Sequence, residues 1–139
     1  MTLIVSPACA AGLRQDFLAN LHTAIDPLPD TFVDAPKGGL RTMATQQALW
    51  DQGRTTPGEI VTNAKPGSSA HNYGMALDVM VLINGVPSYN GSDPDSPSPA
   101  WVALWTAVRQ APALHGGIDF PKGETDPDHI EVLNWREHE

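Results

Sequence analysis

Two short stretches of the chain carry most of the residue types that bind metals and move protons. The first, residues 69–78, places His71 in a loop and Asp78 seven residues later on a predicted strand. The second, residues 126–132, opens another predicted strand with His129. A carboxylate on an otherwise apolar strand is costly unless it is paired, hydrogen-bonded or bound to a metal. Two imidazoles and one carboxylate from separate stretches therefore predict a single metal site.

Three nitrogen and oxygen ligands are the usual set for a catalytic zinc ion, which keeps its fourth position for water. One Zn²⁺ ion is accordingly the predicted cofactor. Such an ion lowers the pKa of its water to about 7 and polarises a carbonyl group. A nearby carboxylate must then accept the water proton and pass it to the leaving group. Asp126 is the candidate for that base, with Asp128 and Glu131 as rivals.

Composition excludes several other classes of function. The 139 residues suit one domain spanning residues 1–139. The net charge of −8 argues against a nucleic-acid partner, which would need clustered Lys and Arg. No apolar stretch is long enough to predict a membrane span, and residues 1–9 lack the features of a signal peptide. Cys9 is the only cysteine, so any metal site must use His, Asp and Glu.

The elements that must position these residues alternate along the chain, which predicts an α+β fold. Hydrophobic spacing and capping residues predict helices over residues 13–25, 42–50 and 99–108. Strands are predicted over residues 31–33, 60–62, 76–83 and 129–133, with a hairpin turn at Asn84-Gly85. The spacing of Trp50, Trp101 and Trp105 favours core positions over a sugar-binding platform.

The two stretches together resemble a known family. The pattern Ser-x-His-x-x-Gly-x-x-x-Asp is matched at residues 69–78, and acidic-x-x-His is matched at residues 126–129. These patterns are similar to those of the zinc D-alanyl-D-alanine carboxypeptidases and L-alanyl-D-glutamate endopeptidases, the VanX/VanY-like group that includes phage endolysins. The resemblance implies zinc ligation by His71, Asp78 and His129, with Asp126 as the catalytic base.

The resemblance extends upstream and covers about residues 13–132. Residues 39–42, 52–55 and 61–65 resemble the endopeptidase branch most closely. The resemblance implies that Arg41 stabilises the oxyanion of the transition state and that Ser69 holds the substrate backbone or a carboxylate. A salt bridge at the start of a helix is the alternative role for Arg41, and a turn-forming role is the alternative for Ser69.

The chain also departs from the family pattern. Ile130 follows the second histidine where the family usually has an aromatic residue. Asp119 and Phe120 follow Gly116-Gly117 where the family often has a tryptophan. These departures concern the substrate and not the metal ligands.

The fold implied by the resemblance is a small hedgehog/DD-peptidase-like α+β fold, with a central antiparallel sheet and helices packed on one side. The implied function is hydrolysis of the L-alanyl-D-glutamate bond in the stem peptide of bacterial peptidoglycan by a monomeric, endolysin-like enzyme. Without a signal peptide, such an enzyme is expected to be made in the host cytoplasm and to act on the cell wall.

Three alternatives remain open at the level of sequence. The same chemistry on D-alanyl-D-alanine would make the protein a carboxypeptidase. A non-catalytic zinc-containing binding module, as in hedgehog signalling domains, would not require the base Asp126. A structural zinc domain would need a fourth protein ligand, for which His115 is the spare candidate, whereas His22 and His138 are interpreted as surface or hydrogen-bonded residues.

Overall fold

The computed structural model describes residues 2–139 of the chain. The four helices span Pro7–Gly12 (α1), Gln15–Ile25 (α2), Met43–Asp51 (α3) and Pro99–Gln110 (α4). The six strands span Leu3–Ile4 (β1), Phe32–Asp34 (β2), Ala76–Ile83 (β3), Val86–Ser88 (β4), Leu114–Gly116 (β5) and His129–Val132 (β6). Short 3₁₀ helices cover Ala70–Tyr73, Gly117–Asp119 and Trp135–His138.

The strands form one six-stranded sheet in the order β1-β2-β3-β6-β5, and β4 also pairs with β3. All pairings are antiparallel except that of β1 with β2, which is parallel. The sheet is therefore mixed at its β1 edge and antiparallel at its centre. The predicted α+β class is confirmed, and its central antiparallel sheet is joined by one parallel edge pair.

Strand β3 separates the hydrophobic core from a polar face. Leu77, Val79 and Val81 are buried in the core cluster that includes residues of α2 and α4. Successive side chains on a strand point to opposite faces, so Asp78 and Met80 lie on the other side of the sheet. We call this second side the site face. The burial pattern of β3 follows the same alternation in its central part.

Strands β5 and β6 continue the site face. In the strand register Asp78 is opposite His129, Ala76 is opposite Glu131, and His115 is opposite Glu131. Residues opposite each other in antiparallel strands share a face. His129, Glu131 and His115 therefore share the site face with Asp78, while Ile130 points into the core.

Two core tryptophans also hold loops by hydrogen bonds. Trp101 is fully buried, and its ring meets that of Phe32 edge-on with the centroids 5.7 Å apart. The Nε1 atom of Trp101 donates to the carbonyl of Asn90 at 3.0 Å, and that of Trp105 donates to the carbonyl of Pro127 at 2.9 Å. The second bond ties the loop that precedes His129 to helix α4. Both tryptophans thus occupy the core positions predicted for them.

Several details of the sequence-based prediction are wrong. Trp50 does not lie in the core: its side chain is half-buried on α3, with the Arg54 guanidinium 3.5 Å from the ring centroid. Residues 60–62 form no strand, since they have no strand partner, and Ile60 is 55% exposed. The helix predicted over residues 13–25 begins at Gln15, and the separate helix α1 precedes it.

None of the helices among residues 2–139 is both long and apolar enough to cross a membrane.

Candidate active site

His71 reaches the site face from the 3₁₀ helix at Ala70–Tyr73. The Ser69 hydroxyl caps this helix by accepting a hydrogen bond from the His71 N–H at 3.3 Å. Gly74 ends it with φ +69°, and an added Cβ there would overlap the carbonyl oxygen of Gly12. The glycine of the first motif is therefore required both by its backbone conformation and by close packing.

The backbone fixes which nitrogen of His71 faces the site. Its Nδ1 atom lies 2.9 Å from the carbonyl oxygen of Gly39, a pure acceptor, so Nδ1 carries the proton. In the neutral ring the Nε2 atom then keeps its lone pair, and it lies 3.4 Å from Asp78 Oδ1. An added Cβ at Gly39 would lie 2.7 Å from the Sγ atom of Cys9, so a glycine permits this close approach.

His129 meets the same oxygen of Asp78 from strand β6. Its Nδ1 atom lies 3.2 Å from Asp78 Oδ1, and the ring centroids of His129 and His71 are 5.0 Å apart. Both imidazoles are buried, with exposed fractions of 3% for His71 and 7% for His129. The structure thus brings together the three residues predicted as metal ligands.

The surroundings favour a positive charge between these groups. Burial alone would lower the pKa of His129, but hydrogen bonds and charge attraction from Asp78 and Glu131 outweigh it and raise that pKa to about 10. Burial alone would raise the pKa of Asp78, but hydrogen bonds and charge attraction from His129 and His71 hold it well below its usual range. A cation bound here would take over the role of the imidazolium proton.

Zinc fits the donor set that the structure provides. Two imidazole nitrogens and one carboxylate oxygen are ligands that Zn²⁺ accepts in catalytic sites. Ligand atoms about 2.0–2.1 Å from a tetrahedral ion lie about 3.3 Å from one another. Asp78 Oδ1 lies 3.4 Å from His71 Nε2 and 3.2 Å from His129 Nδ1. These residues could therefore hold an ion with little rearrangement.

Asp126, the predicted base, lies beside this group. Its Oδ2 atom is 3.9 Å from His129 Nδ1, and its side chain is 49% exposed. Its backbone N–H donates to the carbonyl of Gly117 at 2.9 Å, and an added Cβ at Gly117 would overlap the Asp126 carbonyl oxygen. The second glycine of the Gly116-Gly117 pair therefore permits the turn that carries Asp126.

The two rivals for the base have different surroundings. Burial, followed by a hydrogen bond to Asp126 and by the charges of Asp78 and Asp126, raises the pKa of Asp128 to about 8. Asp128 does not line the cleft, whereas the half-exposed Asp126 does, so Asp126 is the better placed of the two to meet a substrate. Glu131 is engaged elsewhere, because its Oε1 atom accepts a hydrogen bond from His129 Nε2 at 2.7 Å.

Arg41 is held on the wall of the cleft by groups other than acids. Its Nη1 atom donates to Gln46 Oε1 at 3.0 Å, and its backbone N–H donates to the carbonyl of His71. The Gln46 side chain is fully buried and donates in turn to the carbonyl of Ala64 at 2.7 Å. Among the described residues Arg41 forms no salt bridge, so the helix-start alternative is not observed.

His115 does not join the three ligands. It lies on the far side of β6 from Asp78, with its Nδ1 atom 3.7 Å from Glu131 Oε2. The ring of Phe120 contacts both His115 and His129 in a tilted arrangement, with its centroid 5.4 Å from that of His115 and 5.3 Å from that of His129. Within residues 2–139, His115 is therefore not a fourth member of the group formed by His71, Asp78 and His129.

The structure gives two residues roles that the sequence did not predict. Gln46 is fully buried and accepts a hydrogen bond from Arg41, which supports that guanidinium. Glu131, which the sequence offers only as a rival base, accepts a hydrogen bond from His129. Both roles depend on contacts made in the folded chain, which no local sequence pattern indicates.

The group opens into a cleft of about 1030 Å³. Its walls include the three ligands, Asp126 and Arg41, together with Ser69, Thr62, Phe120, Glu124, Trp135 and Arg136. Arg41 and Arg136 are the cationic side chains that line it. A cleft of this size with converging polar groups is typical of a substrate-binding site.

Comparison with known proteins identifies the family. The family model described as VanY, D-alanyl-D-alanine carboxypeptidase, matches residues 28–135. The chain belongs to the VanY family. The matched range includes His71, Asp78, His129, Asp126, Arg41 and Ser69, and the resemblance inferred from the sequence is confirmed.

One relative of this VanY-family chain is a peptidoglycan endopeptidase. The peptidoglycan L-alanyl-D-glutamate endopeptidase CwlK of Bacillus subtilis (strain 168) is 52% identical over 40 residues, which is 29% of this chain and 24% of CwlK. The match thus spans about a quarter of the length of that relative.

Solved structures share the fold at low sequence identity. The Serratia marcescens L-Ala D-Glu endopeptidase ChiX superposes with a TM-score of 0.64 at 21% identity, covering 97% of this chain and 93% of ChiX. The D,D-dipeptidase VanXYg gives a TM-score of 0.57 at 17% identity, covering 91% of this chain and 55% of VanXYg. The LD-carboxypeptidase LdcB gives a TM-score of 0.55 at 22% identity, covering 87% of this chain and 59% of LdcB. These likenesses establish the DD-peptidase-like fold.

Proposed function

We propose that the protein is a zinc-dependent peptidase that hydrolyses the L-alanyl-D-glutamate bond in the stem peptide of bacterial peptidoglycan. The observation that carries this proposal is the meeting of two imidazoles and one carboxylate on the wall of a cleft, with the half-exposed Asp126 beside them. Such a site combines an open coordination position with a candidate base, which is what metal-assisted hydrolysis requires.

His71, Asp78 and His129 would hold the zinc ion. When bound, the ion would polarise the scissile carbonyl and make a water molecule more acidic. Asp126 accepts the proton of the attacking water and then gives it to the departing amine. The exposed half of its side chain leaves room for both transfers.

Two further residues act on the substrate or on the base in this proposal. The Arg41 guanidinium, fixed by Gln46, donates to the carbonyl oxygen as negative charge develops there. The hydrogen bond between Asp128 and Asp126 orients the Asp126 carboxylate. The hydroxyl of Ser69 caps the 3₁₀ helix, and its place on the cleft wall is consistent with a contact to the substrate backbone.

The endopeptidase assignment is supported by the likeness to CwlK and ChiX, both L-alanyl-D-glutamate endopeptidases, the latter matched over nearly the whole of both chains. A D-alanyl-D-alanine carboxypeptidase is the second candidate, because the matching family model carries that description. Such an enzyme must bind a free terminal carboxylate, and Arg136 on the cleft wall is the group that would do so.

The experiment is a digest of purified peptidoglycan by the zinc-loaded protein, with the products identified by mass spectrometry. We expect new peptides that begin at D-glutamate, and we expect none from Asp126→Asn. The control is Asp95→Asn, which removes an exposed carboxylate in the loop after β4 and should leave the digest unchanged. Release of D-alanine alone would instead establish the carboxypeptidase. Absence of products on several wall types would contradict both and favour a binding module.

A further inference from the structure

Glu131 lies between two histidines on the site face. Its Oε1 atom accepts a hydrogen bond from His129 Nε2 at 2.7 Å, while its Oε2 atom lies 3.7 Å from His115 Nδ1. Glu131 is 9% exposed and His129 is 7% exposed. A buried carboxylate at this distance from an imidazole makes a strong, charge-assisted hydrogen bond. One oxygen of Glu131 is therefore hydrogen-bonded to His129, which faces the proposed metal site.

This bond selects the tautomer of His129. A neutral imidazole has one N–H donor and one lone pair, and an ionised carboxylate only accepts. In the neutral ring that metal binding requires, donation of Nε2–H to Glu131 leaves the lone pair on Nδ1, the atom that lies 3.2 Å from Asp78 Oδ1. The other histidine uses the opposite nitrogen, since His71 Nδ1 is bound to the carbonyl of Gly39.

The orientation of the His129 ring is fixed at the same time. Glu131 is two residues from His129 on the same strand, so both side chains project from one face at a fixed spacing. Phe120 packs against the His129 ring with its centroid 5.3 Å away. The carboxylate therefore acts on a ring that Phe120 already contacts.

We propose that Glu131 is a positioning residue for metal binding: it holds His129 in the tautomer and orientation that present Nδ1 to the ion. This inference rests on the proposed metal site, and it does not depend on which bond the enzyme cuts. It assigns Glu131 to a role other than the general base. Carboxylates that hydrogen-bond a ligand histidine typically contribute 10- to 100-fold to metal affinity.

The first test measures zinc affinity by competition with a chromophoric chelator. For Glu131→Ala we expect binding roughly 10- to 100-fold weaker than for the native protein. For Glu131→Gln, whose amide oxygen still accepts from Nε2–H but lacks charge, we expect a loss of roughly tenfold. Glu59→Gln is the matched control, because Glu59 is an exposed carboxylate that does not line the cleft. It should bind zinc as the native protein does.

The second test reads the tautomer directly by ¹⁵N NMR of the histidine rings in the zinc-loaded protein. The native protein should give His129 a protonated Nε2 that exchanges slowly with water, and Glu131→Ala should lose that slow exchange. The signals of His71, which is held by a backbone carbonyl, should be unchanged in both proteins. This readout does not depend on enzymatic activity.

The outcomes separate this inference from the proposed function. Native protein that binds zinc tightly but cuts no peptidoglycan would refute the function and leave the role of Glu131 to be judged by the variants. Native protein that binds no zinc would overturn both. Should Glu131→Ala fail to fold by circular dichroism, Glu131→Gln decides. A folded variant that binds zinc within twofold of the native value, with its slow Nε2–H retained, would overturn the inference.

Discussion

A methyl group added at Gly117 is expected to damage catalysis more than it damages the fold. The glycine lies in a 3₁₀ helix directly before the loop that carries Asp126, and its carbonyl accepts the Asp126 N–H at 2.9 Å. A Cβ at this position would overlap the carbonyl oxygen of Asp126 and would lie 3.0 Å from its carbonyl carbon and from its Cβ. Gly117→Ala therefore pushes on the backbone of the proposed base.

The size of the effect follows from this overlap. The atom in conflict belongs to backbone and not to the end of a flexible side chain, so relief requires the Asp126 segment to move by about 1 Å. A misplacement of about 1 Å in a catalytic group costs on the order of 10²-fold in rate. Overpacking of this kind typically costs about 1–3 kcal/mol of stability, which leaves most of the protein folded.

The assay compares kcat for peptidoglycan fragments with zinc affinity and with the midpoint of thermal unfolding. For Gly117→Ala we expect kcat to fall roughly 10²-fold. Zinc affinity should fall less, because the displaced Asp126 carbonyl accepts only the backbone N–H of His129, whose ring is held separately by Glu131. Gly116→Ala is the matched control. Its added Cβ would lie 3.3 Å from a side-chain carbon of Ile118 and 3.4 Å from one of Val108, so only small adjustments are needed.

Two results would refute this reasoning. A native kcat in Gly117→Ala would mean that the position of Asp126 is not limiting, or that Asp126 is not the base. An equal loss of activity in Gly116→Ala and Gly117→Ala would mean that the effect is a general disturbance of the segment after β5 and not a displacement of the carboxylate.

Three further changes have expected results. Gln46→Ala should release Arg41 and leave buried partners without bonds, lowering the free energy of unfolding by about 1–3 kcal/mol in urea titrations and lowering kcat. Trp101→Ala, at the fully buried centre of the core, should cost about 3–5 kcal/mol by thermal unfolding. Arg109 holds the pKa of Asp119 below its usual range. The pair should therefore stabilise the fold above about pH 4 and lose that contribution as the pH falls through the lowered pKa. Since both side chains are well exposed, Arg109→Ala should lower the free energy of unfolding by under about 1 kcal/mol at pH 7 in urea titrations.

The sequence could predict that His71, Asp78 and His129 lie together, because their residue types are unusual for their surroundings. Asp78 interrupts a run of apolar strand residues, and His129 opens a strand after a turn. Strand alternation places Asp78 on the face opposite the core. Local rules were enough here because both strands have a clear hydrophobic pattern.

The supporting residues could not be predicted, because their roles depend on pairing across the fold. The role of the hydrogen bond from His129 to Glu131 depends on the His129 ring facing the proposed metal site. The burial of Gln46 depends on how residues 62–64 fold over α3. The prediction of a strand over residues 60–62 is wrong for a similar reason. A run of β-branched residues forms a strand only beside a partner strand, and among residues 2–139 no strand pairs with Ile60 and Val61.

The same physical limit explains the misplacement of Trp50. Its spacing on α3 resembles that of a buried residue, but only Gln46 of that helix is buried. The indole instead lies beneath the cations of Arg54 and Lys65, with the charged groups 3.5 and 5.4 Å from its centroid. A pattern of hydrophobic residues predicts which face of a helix is apolar. It does not predict whether that face is covered by the core or by cationic side chains, as at Trp50.

The division of β3 and β6 into a core face and a site face limits how this chain can change in length. A one-residue insertion or deletion within either strand would turn every side chain beyond it to the opposite side. Asp78 would then enter the apolar interior while Leu77 or Val79 took its place, so the ligands and the core would be lost in one step. Changes of length are therefore expected to accumulate in the turn at residues 84–85 and in the loop at residues 89–98, where neither face is interrupted. A comparison of many related sequences should find gaps there and none within these two strands.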